Sequence, residues 1–186
     1  MNPRIGISPT VICALVSLFS GDGLSAETEP GAASADSNPF SAFFGEWTLK
    51  DDKWQHVFDG STLQTLNISN HYTRCDRINT ERSVLCVVNA GELKGHIMWS
   101  YDSDKKRVHH LSHFGTARNG VGVGSLDAQA NLRLNVTFQD EPGTYRIYRY
   151  TWVSKNEYTM MSRQFASDGT PTGNWYGGTF VRIGER

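Results

Sequence analysis

Four histidines occur close together in the sequence, and their side chains are suited to metal binding or proton transfer. They are His96, His109, His110 and His113. An imidazole can coordinate a metal ion, and it titrates near neutral pH. His109 and His113 lie ~13 Å apart if the segment is a strand, since a strand rises ~3.3 Å per residue, so these two cannot share one ion.

The register between the two strands that carry these histidines determines which of them lie opposite each other. If the turn after Tyr101 places this residue opposite Val108, His96 faces His113 on the neighbouring strand. We therefore predict His96 and His113 as a possible metal-binding or proton-transfer pair. The sequence offers no evident third ligand, and solvated surface histidines are the alternative interpretation. No metal or other cofactor is predicted.

Aromatic side chains form a second candidate site. Tyr148, Tyr150 and Trp152 alternate along one segment and would share one face of a strand. A turn at 154–156 would pair Trp152 with Tyr158 and extend that face. An interior of this kind would suit a small hydrophobic or aromatic molecule, although the same rings could simply fill the core. The predicted ligand-binding residues are Trp99, Tyr101, Arg146, Tyr148, Tyr150, Trp152 and Tyr158.

No familiar catalytic signature accompanies these residues. The sequence contains no Gly-x-Ser-x-Gly, His-Glu-x-x-His, phosphate-loop or Cys-x-x-Cys motif. Its carboxylates fall mostly in predicted turns or at strand ends, where water solvates them. Catalytic residues therefore remain unassigned.

Short alternating segments separated by turn residues predict an all-β domain. Leu132, Leu134, Val136 and Phe138 alternate with polar residues, which is typical of a strand with one buried face. We predict ten strands at 43–50, 63–77, 83–89, 95–101, 107–115, 120–126, 131–138, 144–153, 157–165 and 178–183. Short connections favour a meander that closes into an antiparallel barrel, which removes exposed edges; a two-sheet sandwich is the alternative.

The N-terminal residues predict export. Arg4 precedes an apolar stretch at 5–19, and small residues end at Ala26, as in a secretory signal peptide at 1–26. The polar, proline-punctuated stretch 27–39 predicts a flexible tether before a single barrel domain at 40–186. Cleavage after Ala26 would leave 160 residues with no membrane anchor, secreted or in the periplasm.

The net charge of this mature chain limits the kinds of partner that it could bind. It would keep 17 basic and 18 acidic residues, a net charge of −1 without basic runs. This balance argues against nucleic acid as a partner. The oligomeric state is left open.

Two cysteines remain after cleavage, and their positions predict a disulfide. If residues 79–82 form a turn, Cys75 and Cys86 face each other across a hairpin. Oxidising compartments favour such bridges. Two unpaired buried thiols are the alternative.

Short motifs at the two ends of the domain resemble the lipocalin superfamily. Gly45 and Trp47 form a Gly-x-Trp on the first strand, and Arg182 lies in the last strand. In lipocalins this arginine packs beside the tryptophan at the closed end of the barrel. Segments Trp99–Asp102 and Asp168–Gly169 make the chain similar to a bacterial lipocalin-like family of unknown function within the calycin-type barrels.

We expect from these features an exported barrel that binds a small, partly apolar molecule inside. One alternative is a lyase, isomerase or cyclase that uses His or Tyr as acid and base. Another is an extracytoplasmic module that binds a protein with its outer surface. A fold by itself does not choose among them.

Overall fold

The computed structural model describes residues 38–78 and 81–183, which form an almost entirely β domain. The predicted signal peptide, most of the predicted tether and part of the predicted 79–82 turn lie outside these residues. The strands are β1 Gly45–Leu49, β2 Lys53–Val57, β3 Gln64–Asn67, β4 Tyr72–Arg77, β5 Ser83–Ala90, β6 Leu93–Asp102, β7 Arg107–Phe114, β8 Arg118–Leu126, β9 Leu132–Phe138, β10 Thr144–Ser154, β11 Glu157–Ala166 and β12 Pro171–Arg182. Short 3-10 helices span Ser41–Phe43 and Lys50–Asp52. No helix within 38–78 or 81–183 is long and apolar enough to cross a membrane.

The strands form one antiparallel sheet that closes on itself. Strands β1 and β4 to β12 follow one another around the sheet, and β1 pairs with β12 to close a ten-stranded barrel. The β2–β3 hairpin pairs with the first half of β12, where His56 lies opposite Tyr176. The predicted closed antiparallel meander barrel is confirmed, with this hairpin as an addition.

Three strand predictions need correction. The predicted strand 63–77 is two strands, β3 and β4, which are separated around Asn70 with its positive φ of 61°. Strand β2 was not predicted. Strand β12 begins at Pro171, seven residues before the predicted start at Gly178, because sheet pairing overrides the weak strand propensity of its proline and glycines.

The structured domain also begins before the predicted end of the tether. Asn38 is buried and donates its side-chain amide to the carbonyl of Ser83 at 2.9 Å. The next residues turn into the first 3-10 helix, which places Phe40 and Phe43 in the core. Residues 38 and 39 therefore belong to the barrel domain and not to a tether.

Alternation along the strands places one set of side chains in the interior. Strand β9 shows it most plainly, because Leu132, Leu134, Val136 and Phe138 are buried and the residues between them are exposed. Folding removes the apolar surface of each such side chain from water, and complete burial of one side chain stabilises the fold by ~1.5–3 kcal/mol. The barrel interior is therefore the hydrophobic core of the domain.

One end of the barrel, here called the aromatic end, is closed by the chain that precedes β1. The guanidinium carbon of Arg182 lies 4.2 Å from the ring centre of Trp47. Arg182 also donates to the carbonyls of Phe44 and Ala42, the latter at 3.0 Å. Gly45 has a φ of 106°, and a Cβ there would lie 2.8 Å from the arginine, so the close approach requires glycine. The predicted contact of tryptophan with arginine is present.

Cys75 and Cys86 lie directly opposite each other on β4 and β5. Their sulfur atoms are 2.06 Å apart, at disulfide distance, and both residues are buried. This register agrees with the hairpin inferred from the sequence. The pair links two neighbouring strands within the barrel core.

Candidate functional site

The hairpin of β10 and β11 sets the order of interior side chains from one barrel end to the other. Directly opposed residues on an antiparallel pair point to the same face, so each pair forms one step of the interior wall. The steps are Arg146 with Gln164, Tyr148 with Ser162, Tyr150 with Met160, and Trp152 with Tyr158. Arg146 and Trp152 are six residues apart, or ~20 Å. The predicted ligand-binding residues on β10 thus span two different environments.

At the aromatic end, the predicted rings pack against the segment that closes the barrel. The ring centre of Phe43 lies 5.1 Å from Trp99, 4.9 Å from Trp152 and 5.6 Å from Tyr158. Tyr150 joins the same cluster at 5.9 Å. Because Phe43 occupies the space that these rings surround, their arrangement favours a core role over the expected ligand wall. Tyr101 is half-buried and packs against the hydrophobic core.

The opposite end, here called the polar end, contains a carboxylate that accepts four hydrogen bonds. Glu141 lies in the turn 139–143 between β9 and β10. Arg146 donates Nε and Nη2 to its two oxygens at 2.8 and 3.0 Å, and Arg118 donates at 3.2 Å. The amide of Gln164 adds a fourth bond at 3.2 Å. Donors from three strands therefore converge on one turn residue.

The electrostatics of this cluster keep Glu141 ionised. Burial alone would raise the pKa of Glu141, but hydrogen bonds from Arg146 and the charges of Arg146 and Arg118 outweigh it and lower the pKa. Asp140, exposed at 39% of its side chain, pairs with Arg118 at 2.8 Å. Two guanidinium groups thus face two carboxylates, and the cluster has no net charge.

Beneath this ion pair, part of the Arg146 guanidinium has no partner. Arg146 is 3% exposed, and its Nη1 atom makes no hydrogen bond to any described residue. The hydroxyl of Ser162, one step deeper, is also buried and without a partner among the described residues. A buried donor without a partner costs ~1–3 kcal/mol, and more when it is charged. The polar end therefore holds unused hydrogen-bonding capacity.

Two tyrosine hydroxyls lie at the same depth. The hydroxyls of Tyr148 and Tyr176 form a hydrogen bond to each other, and the Arg146 guanidinium carbon lies 4.8 Å from the Tyr176 ring centre. Burial, reinforced by Tyr176, raises the pKa of Tyr148 well above its ordinary value. Tyr148 therefore stays protonated and can donate a hydrogen bond.

The β2–β3 hairpin adds aromatic surface next to Tyr176. The ring of Trp54 stacks on Tyr176 at 5.5 Å, and the ring of His56 stacks on Phe58 at 4.2 Å. Phe58 is 58% exposed, although it lies only 6.3 Å from the Tyr176 ring. An aromatic surface thus runs from solvent to the buried polar cluster.

The histidine pair proposed from the sequence lies on the outside of the barrel. His96 faces His113 across β6 and β7 as expected, with ring centres 5.8 Å apart, but both side chains lie on the outer face. His96 lines an open outer groove of about 610 Å³, together with Leu85, Met98 and Leu111 among others. Within residues 38–78 and 81–183, no group of three or more His, Cys, Asp or Glu side chains is placed to hold a metal ion.

His109 points outward as well, whereas His110 points into the core. The four histidines of the sequence cluster are therefore divided between two faces of the sheet. This division follows from the two-residue period of a strand. The sequence cluster is not a spatial cluster.

The residues that sequence reasoning missed are Arg118, Glu141, Ser162, Gln164 and Tyr176. Ser162 and Tyr176 face each other across β11 and β12, so the correct register of that hairpin would have placed them beside Tyr148. Glu141 lies between two predicted strands in a segment with turn composition, where carboxylates are usually solvated. The register of β8 and β9, in which Gly120 lies opposite Phe138, brings Arg118 to the turn that holds Glu141.

Comparison with known proteins adds the following. No family model and no curated protein matches the chain. Among solved structures, EF1p2_mFAP2b bound to DFHBI shares 11% identity with a TM-score of 0.37, over 80% of this chain and 100% of its own. The redesigned beta barrel mFAP1 bound to DFHBI shares 14% identity with a TM-score of 0.35, over 78% of this chain and 100% of its own. At these identities and TM-scores the likeness carries no information about function, and the resemblance to a bacterial lipocalin-like family stays a hypothesis.

Proposed function

We propose that the barrel binds a small, partly apolar molecule at its polar end. The observation that carries the proposal is the buried Arg146 guanidinium, whose Nη1 has no partner among the described residues. The hydrogen-bonded pair of Tyr148 and Tyr176 lies beside it. A few convergent polar groups beside aromatic surface are typical of small-molecule sites.

The path into this site runs along the aromatic surface of the β2–β3 hairpin. Phe58 would meet an arriving ring at the surface, and Trp54 and Tyr176 would bind it further in. Arg146 would then meet a polar group of the ligand. Of the residues predicted from the sequence, this assignment keeps Arg146 and Tyr148 in the site and gives the rings around Phe43 a packing role.

Nuclear magnetic resonance of the purified protein tests the location of the site. The probe is 2-naphthamide, an uncharged aromatic molecule with one polar group. We expect the indole N–H signal of Trp54 to shift in a saturable manner and that of Trp99, at the other end, to stay unchanged. A shift of the Trp99 signal alone, or no saturable shift of either signal, would contradict the proposal.

A matched pair of tyrosine variants tests the contact itself. Tyr176→Ala is expected to weaken binding of 2-naphthamide by ~1–3 kcal/mol, the range for an aromatic anchor. Tyr145→Ala is the control, because Tyr145 alternates with the inward-facing Arg146 and stacks on Phe165. Equal affinities of the two variants for 2-naphthamide would show that Tyr176 does not contact the ligand.

We also infer that the protein is exported to an oxidising compartment. The order of charged, apolar and small residues at 1–26 supports this, as does the cysteine pair at disulfide distance. N-terminal sequencing of the protein from its source should begin at Glu27. A chain that begins at Met1 would contradict export by a cleaved signal.

A further inference from the structure

The Glu141 carboxylate is bound in the way that proteins bind an anionic ligand. Arg146 contacts both of its oxygens through Nε and Nη2, an arrangement that matches the two oxygens of a carboxylate. Arg118 and Gln164 complete the set of donors. All three donors lie on strands of the barrel wall, whereas Glu141 lies in a turn.

Movement of the turn that holds Glu141 would leave the strand pairing intact but would break hydrogen bonds of the turn, from the Glu141 N–H to the Phe138 carbonyl and from the Thr144 hydroxyl to the Glu141 carbonyl. The turn spans 139–143, between the last residue of β9 and the first residue of β10. Gly143 has a φ of 76°, and a Cβ at this position would meet no atom within 4 Å. Glu141 is still 21% exposed, so its side chain borders solvent. An outward movement would uncover Arg146, which is almost fully buried beneath it.

We propose that Glu141 occupies the place of a ligand carboxylate, and that the polar end binds small aromatic carboxylates by displacing this turn. The inference rests on the proposed function and names the ligand class for the same site. The ligand carboxylate would take over the bonds from Arg146, Arg118 and Gln164. Its ring would lie toward Tyr176 and Phe58.

The unused groups of the cluster support a ligand larger than the Glu141 side chain. Glu141 does not bond to Nη1 of Arg146 or to the hydroxyl of Ser162, and neither group has a partner among residues 38–78 and 81–183. A ligand that carries a further acceptor beside its carboxylate could bond to them. Charge favours the exchange as well, since displacement of the turn would carry both Asp140 and Glu141 away from the two guanidinium groups, which would then attract an anion.

The test compares 2-naphthoate with 2-naphthamide, which share a ring and differ in charge. Wild-type protein should bind 2-naphthoate more tightly. Glu141→Gln removes the internal competitor and should strengthen 2-naphthoate binding about tenfold, because the unpaired guanidinium groups then favour an anion. Binding of 2-naphthamide should change by less than about twofold, since that probe carries no charge.

Asp140→Asn is the matched control for charge. It removes one negative charge from the same turn, but at a more exposed position whose one ion pair among the described residues is with Arg118. Its effect on 2-naphthoate should stay below about threefold, because solvent screens exposed charges. An equal gain in both variants would indicate a general field effect and overturn the proposal.

Arg146→Met tests the site without changing the turn residue. It should abolish the preference of the wild-type protein for 2-naphthoate over 2-naphthamide, and it provides the decisive variant if Glu141→Gln fails to fold. Equal binding of the two probes by wild-type protein would overturn the carboxylate proposal and leave the proposed function intact. No binding of either probe by the wild type or any folded variant would overturn both.

Discussion

The indole N–H of Trp99 donates a hydrogen bond to Nδ1 of His110 at 2.9 Å, inside the barrel. Since an indole nitrogen can only donate, Nδ1 must be the unprotonated nitrogen of the imidazole. The other nitrogen, Nε2, then carries the proton and lies 3.0 Å from the hydroxyl of Ser112. One contact thus fixes the neutral tautomer of a buried histidine.

This arrangement predicts acid sensitivity. Burial lowers the pKa of His110 from its ordinary value of 6.5 to about 4. Because the unfolded chain then binds the proton more tightly than the folded one, the free energy of unfolding falls as the pH drops from 6.5 to 4. The loss amounts to ~3 kcal/mol for this group. Burial lowers the pKa of His71 to about 4 as well, against a smaller raising effect of Asp52, and adds a loss in the same window.

Urea unfolding at several pH values measures this dependence. His110→Gln should reduce its slope between pH 6.5 and 4 and leave the part that His71 contributes, because the variant has no imidazole at position 110. His109→Gln is the control, since His109 is exposed on the same strand. Equal pH dependence in both variants would contradict the prediction.

The register of neighbouring hairpins could be predicted from the sequence, because short turns fix it. The turns at 102–106 and 154–156 correctly placed His96 opposite His113 and Trp152 opposite Tyr158. Register alone does not reveal which end of a barrel is filled. Phe43 closes the aromatic end from a segment outside the strands. No periodic pattern in the sequence predicts its contact with the aromatic rings.

The polar end was harder to predict for a related reason. Arg118 and Glu141 are 23 residues apart, and they meet because the turn 139–143 folds toward β8. A carboxylate in an Asp-Glu-Pro-Gly turn has the composition of a solvated loop. The contact with Arg118 follows from the β8–β9 register, in which Gly120 lies opposite Phe138, and the composition of the turn does not give that register.

The cysteine pair predicts that the mature chain 27–186, which lacks Cys13, has no free thiols. Titration of the unfolded, unreduced protein should find no reactive thiol from Cys75 or Cys86. Reduction should lower the free energy of unfolding by ~2–3 kcal/mol, the loop-closure value for a short loop, although strained bridges contribute less. The double variant Cys75→Ser/Cys86→Ser should match the reduced protein and be insensitive to reductant. Two titratable thiols in the unreduced protein would contradict the bridge.

The contacts of Arg182 at the aromatic end predict that this position requires a guanidinium group. Arg182→Lys keeps the charge but cannot reach the carbonyls of Ala42 and Phe44 and the Trp47 ring together. The free energy of unfolding should fall by ~1–3 kcal/mol, as for the loss of a buried hydrogen-bonding group. Arg133→Lys, on the exposed face of β9, should cost less than about 0.5 kcal/mol. Chemical denaturation measures both losses in the free energy of unfolding. Equal losses in the two variants would contradict a role of Arg182 in closing the barrel.

The rings of the aromatic end should behave as core and not as a ligand wall. Tyr150 is 6% exposed and lies 5.1 Å from Trp99 and 5.9 Å from Phe43. Tyr150→Ala should therefore lower the free energy of unfolding by ~3–5 kcal/mol, as for other buried aromatic residues. Under conditions in which the variant remains folded, its affinity for 2-naphthamide should equal that of Arg133→Ala, an exposed control. Calorimetric titration of both variants measures this, and a folded Tyr150→Ala with weakened binding would place the ligand against the aromatic rings instead of at the polar end.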